Sequence, residues 1–95
     1  MIKFTNHAKE KLRIRKINTE EVEQIIRNPT RIFYDLLTGR YIAVGARPLN
    51  PGQYLVAVYT RTNTGELIVI TVYVTTKVDK IVKSKLKKKR WIRIR

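Results

Sequence analysis

Between Arg31 and Thr75 the chain carries four strand-like runs, and these constrain the fold more than any other feature. Arg31 to Leu37, Arg40 to Ala46, Gln53 to Arg61 and Glu66 to Thr75 are rich in Val, Ile, Tyr and Thr. They are separated by Thr38-Gly39, by Arg47-Pro-Leu-Asn-Pro-Gly52 and by Thr62-Asn-Thr-Gly65. Short β-prone runs punctuated by Gly, Pro and Asn predict an antiparallel meander of four strands. A two-residue Asn63-Thr64 turn would set Tyr59 opposite Ile68, Ala57 opposite Ile70 and Leu55 opposite Val72. Ala43, Gly45 and Ala57 make that side of the sheet shallow enough for helices to approach closely. The other side would show Ile42, Val44, Tyr54, Val56, Val58, Leu67, Val69, Thr71 and Tyr73, too apolar to face water uncovered.

Ahead of the sheet, Ile2 to Phe4 reads as a short strand, and Thr5 or Asn6 can cap a helix running to about Arg15. Asn18 opens a second helix, with Glu21 as its capping-box partner and Glu20, Glu21 and Glu23 complementing the positive helix end. Val22, Ile25 and Ile26 form its apolar stripe, packed with Leu12 on the shallow side of the sheet. Pro29 ends that helix at Asn28, since it donates no amide hydrogen and disfavours α geometry before it. The expected architecture is α+β: a short N-terminal strand, two helices, a four-stranded antiparallel meander and a basic C-terminal helix.

Ninety-five residues suit one domain, with residues 1–76 as the core and 77–95 as its basic helix and tail. Cysteine is absent, so there is no disulfide, thiolate metal site or cysteine nucleophile. No cofactor or metal is implied. His7, Lys9, Glu10, Lys11 and Arg13 interrupt any early apolar stretch, and no run reaches membrane-spanning length. The cytoplasm is the default location.

Lys77 to Arg95 holds ten of the chain's twenty-one Lys and Arg against one acid, +9 of a net +14. Cationic density of this order calls for a polyanion, and nucleic acid is the expected partner. Val78, Ile81, Val82 and Leu86 fall at helical spacing within the segment. A mobile solubilising tail would have no use for that stripe. The segment is therefore expected to dock and present Lys80, Lys83, Lys87 and their neighbours outward.

The order of elements resembles the RelE/ParE superfamily of toxins from toxin-antitoxin pairs. Phe4-Thr-Asn-His-Ala-Lys-Glu10, then Arg15, Ile17, Asn18, Glu20-Glu21-Val22 and Arg27-Asn-Pro29, is similar to a branch opening with a Thr-x-His-Ala-x-Glu-Arg helix followed by Arg-Gly-Ile-Ser. The strand ending in Tyr and Thr, the basic helix and Arg90-Trp-Ile92 extend the likeness across nearly the whole chain. Lys11 stands where that branch has Arg, and Lys16 where it has Gly. The resemblance implies a metal-independent endoribonuclease that cuts mRNA, often on the ribosome, and is neutralised by a cognate antitoxin.

Such cleavage needs the 2′-hydroxyl activated, phosphorane charge stabilised and the leaving oxygen protonated. Histidine is the side chain suited to proton transfer near neutrality, His7 is the chain's one histidine, and Glu10 stands one helical turn away to orient it. The other account of His7 is a helix-start residue bonded to structure. Tyr73 and Lys77 end the last strand, where RelE-like nucleases place acid or stacking groups. Tyr54 would neighbour Tyr73 in an aromatic platform, although strand tyrosines commonly serve only packing. The catalytic candidates are His7, Tyr73 and Arg61. Those for phosphate are Arg15, Arg47, Lys77, Lys80, Lys83, Lys87 and Arg90. Arg15 could instead pair with Glu20 or Glu21, and Arg61 with Glu66. Trp91 is read as an anchor for the tail. A non-catalytic RNA- or DNA-binding module on the same fold is the alternative, a gyrase-directed toxin ranks below both, and the apolar sheet face allows a homodimer.

Overall fold

Thr5 ends the first strand and starts the first helix. Its backbone is extended (φ −68°, ψ 163°), its hydroxyl oxygen accepts the Ala8 N–H at 3.1 Å, and its hydroxyl donates to the Ile70 carbonyl at 3.1 Å. In this computed structural model, which describes residues 2–95, β1 (Ile2–Phe4) precedes α1 (Asn6–Arg15) and α2 (Thr19–Arg27). Then come β2 (Arg31–Asp35), β3 (Tyr41–Ala46), β4 (Tyr54–Arg61), β5 (Leu67–Thr75), α3 (Val78–Lys87) and β6 (Trp91–Arg93).

The fold is α+β, with three helices about a mixed sheet of six strands in the order β1-β5-β4-β3-β2-β6. β1 pairs parallel to β5, and every other pairing is antiparallel. β6 lengthens the sheet beyond expectation. Lys89 turns the chain at φ 56°, and Trp91 to Arg93 then pair with β2.

Helices cover both sides. On one, Ala8, Leu12, Val22, Ile25 and Ile26 pack on Ala43, Leu55, Ala57, Val69 and Val72. Gly45 permits the close approach, because a Cβ there would stand 2.9 Å from Cγ1 of Ile25. On the other side Phe33, Ile42, Val44 and Val56 are buried under Val78, Val82 and Trp91. The apolar face that invited a second copy is thus covered by α3 and Trp91 of the same chain.

Three local expectations need correction. Thr62 N–H bonds the Glu66 carbonyl at 2.8 Å and Gly65 takes φ 86°, so the turn is longer than Asn63-Thr64. Tyr59 accordingly faces Val69, and a bulge between Val58 and Tyr59 moves the register again, so that Ala57 faces Val72 and Leu55 faces Val74. Leu67 and Val69 therefore belong to the α1/α2 side. Second, the capping box at α2 does not form: Asn18 makes no side-chain cap bond, and the Glu21 carboxylate is held by Arg47 instead. Third, β2 stops at Asp35, because one Asp35 carboxylate oxygen takes the N–H groups of Leu37 and Thr38 and turns the chain.

Candidate nucleic-acid interface

α3 buries Val78 and Val82 and half-buries Ile81, so its orientation is fixed by the stripe that marks it in the sequence. Its outer side then presents Lys80, Lys83 and Lys87, which with Ser84 and Lys88 line a shallow depression. These three lysines climb about 10 Å of helix axis. Asp79, the one acid of the segment, is taken by Arg31 at 3.0 Å. Lys77, Lys80, Lys83, Lys87, Lys88 and Lys89 have no carboxylate partner among the described residues. Lys85 lies over the Trp91 ring, 5.9 Å from its centroid.

β6 pins the far end of this basic segment. Trp91 stacks on Phe33 with ring centroids 5.4 Å apart, and Arg90 Nε donates to Asp35 at 2.9 Å. Burial alone would raise the Asp35 carboxyl. The bonds from Arg90, Leu37 N–H and Thr38 N–H, with the Arg90 charge, outweigh it and hold the carboxyl at about 2. Of the phosphate candidates, Arg90 is thus committed to holding the fold. Arg47 is committed as well: Nε and Nη2 meet both Glu21 oxygens at 2.7 and 3.1 Å, and Nη1 reaches Gln53 at 3.1 Å. The bond to Glu21 raises the Arg47 pKa against the effect of burial, and the Glu21 charge adds to it.

The catalytic candidates are not brought together. His7 is exposed on α1, on one side of the sheet, and Glu10 pairs with Arg13 rather than with it. Tyr73 is half-buried on the other side, against the cluster under α3, and burial raises its pKa. Tyr54 packs against the same cluster but pairs with Thr75, while Tyr73 pairs with Val56. Arg61 makes no ion pair with Glu66, which is held by Lys3 at 3.1 Å; Arg61 instead lies 6.0 Å from the Tyr41 ring centroid. Arg15 is exposed, and the alternative bridge to Glu20 or Glu21 is absent among the described residues.

A row of Tyr34, Tyr41 and Tyr59 crosses β2, β3 and β4, with centroids 5.1 and 5.5 Å apart. Sequence reasoning missed it, because only the β2–β3 and β3–β4 registers bring these residues abreast. Among the described residues there is no metal-binding cluster of His, Cys, Asp and Glu, and no helix long and apolar enough to cross a membrane.

Residues 4–74 match the family described as a domain of unknown function, DUF4258. This chain belongs to that family. The DUF4258 match takes in both helices of the first layer, β2 to β4 and all but the last residue of β5, whereas α3 and β6 lie outside it. The exposed lysine row of this DUF4258 protein is therefore carried on a segment beyond the matched span. No curated protein and no solved structure matches the chain.

Proposed function

We propose that this protein is a nucleic-acid-binding module that grips an RNA backbone along α3, on a scaffold arranged like the RelE/ParE toxins. The observation that carries the reading is the row Lys80, Lys83 and Lys87, free of carboxylates and held in one direction by Val78 and Val82. Fixed cations at this spacing neutralise successive phosphates and release their counterions, which makes binding steeply salt-dependent. Lysines grip phosphate without fixing base sequence. The anchoring of Trp91 and Arg90 keeps the row from collapsing into a tail.

The test is the affinity for a single-stranded RNA oligomer over a range of salt. Replacing Lys80, Lys83 and Lys87 by Gln should weaken binding and reduce the slope of log K against log salt by about 2, at about 0.7 per phosphate contact. An unchanged slope in the folded variant would sink the reading.

A metal-independent ribonuclease acting on mRNA, restrained by an antitoxin in the cytosol, is the second reading. His7 on the opening turn of α1, exposed and without a hydrogen-bond partner among the described residues, favours it. Tyr73 and Arg47 support it less, the first being half-buried beyond the sheet and the second held by Glu21.

A further inference from the structure

A cleft of about 740 Å³ lies between α2 and the loop joining β3 to β4, on the side of the sheet opposite α3. Its wall is rich in amides. Asn18, Gln24, Asn28 and Asn50 all line it, and none of their side chains makes a hydrogen bond among the described residues. Asn18 even leaves unused the capping bond that its position offers. Ile25 provides an apolar floor, and Leu49, 89% exposed, stands at the mouth. The loop that carries Leu49 is ordered by bonds of 3.0 Å from Arg47 N–H to the Gln53 carbonyl and from Gln53 N–H to the Asn50 carbonyl.

Charge says what such a cleft would take. Lys16 and Arg47 on its wall are balanced by Glu20 and Glu21, so the site has no net pull on a phosphate. Free amides, each offering a donor and an acceptor, suit a flat neutral ligand with a patterned hydrogen-bonding edge. Ile25 and Leu49 would flank its faces. A nucleobase has these properties.

The cleft opens at the end of the sheet where α3 begins. Thr30 lines it, and the next residue, Arg31, bonds Asp79 in the first turn of α3. Ala46 lines it too, and pairs with Tyr54, which pairs with Thr75, two residues before Lys77. Two strand spacings, roughly 10 Å, separate Ala46 from Thr75. We infer that this cleft takes an unpaired nucleobase of an RNA strand whose backbone lies along α3, an inference resting on the RNA-binding reading above. A base splayed from a single strand can enter such a site; one held in a duplex cannot.

The experiment compares an RNA octamer with the same octamer made abasic at successive single positions, on the full-length protein and on Gln24→Ala/Asn50→Ala. Both substituted residues are exposed, so the fold should be kept. Binding should fall roughly tenfold at one abasic position for the wild type, and the variant should bind every octamer as the wild type binds that one. Equal sensitivity in wild type and variant would overturn the inference while leaving the backbone reading intact. Should no octamer bind, the backbone reading fails. The cleft is then judged by titrating adenosine and guanosine and following the side-chain amide resonances of Gln24 and Asn50. Shifts in those resonances would assign it to free nucleosides, and unmoved resonances would overturn it.

Discussion

Arg90 Nε and Asp35 Oδ1 lie 2.9 Å apart, and the same oxygen receives the N–H groups of Leu37 at 2.9 Å and Thr38 at 3.2 Å. One buried carboxylate thereby closes the β2 turn and fastens the segment that follows α3. Its pKa falls from an ordinary 3.8 to about 2, so its charged form stabilises the fold fully above pH 4. That contribution is lost as the pH falls through 2. Asp35→Asn should cost on the order of 2 kcal/mol at neutral pH. Denaturant unfolding from pH 6 to pH 2 should show the wild type converging on the variant, and parallel curves would refute the coupling.

Lys16 occupies the left-handed region at φ 54° and ψ 49°, just past α1. There Ile17 N–H reaches back to the Leu12 carbonyl at 3.0 Å. A side chain with a Cβ is strained in that conformation, and glycine is not. Lys16→Gly is expected to stabilise the protein by about 0.5–1 kcal/mol, read as a higher midpoint in urea.

Gly45 is required for a different reason, since its φ is not positive. A methyl group there would press on three carbons of Ile25, at 2.9, 3.1 and 3.3 Å. Gly45→Ala should therefore destabilise by about 1–3 kcal/mol. Combining it with Ile25→Ala should cost less than the two single changes together, because one removes the obstacle to the other. Strict additivity in unfolding measurements would show that α2 yields instead.

His7 separates the two functional readings. For a binding module, His7→Ala leaves both RNA affinity and RNA length unchanged. For a ribonuclease it removes the new RNA ends, mapped by primer extension in the presence of chelator, and spares binding. Loss of affinity without any cleavage by the wild type would contradict both.

The helices were legible because their signals are local. Thr5, the stripe Val22-Ile25-Ile26 and the Asn28-Pro29 stop each act within a few residues, and the stripe Val78-Val82 likewise located α3. The register of β5 was not legible. A bulge adds one residue where sequence alternation runs on unbroken, and from there each side chain faces the other way. Pairings across many residues were equally hidden. Glu21 looked like a cap because Asn18 is near in sequence, yet Arg47, 26 residues away, offers a bidentate partner. For the candidate site, the lysine row was readable from composition and spacing. The cleft was not, since its amides come from α2 and a distant loop that only the fold brings together.

The position of α3 in the chain also bears on biosynthesis. A ribosome delivers β2 to β5 before it delivers Val78, Val82 and Trp91, so Phe33, Ile42, Val44 and Val56 wait in water without their cover. A nascent sheet with one greasy side is a target for misassociation. The lysine-rich helix that follows covers that side last, with its valines turned inward and its lysines turned to water.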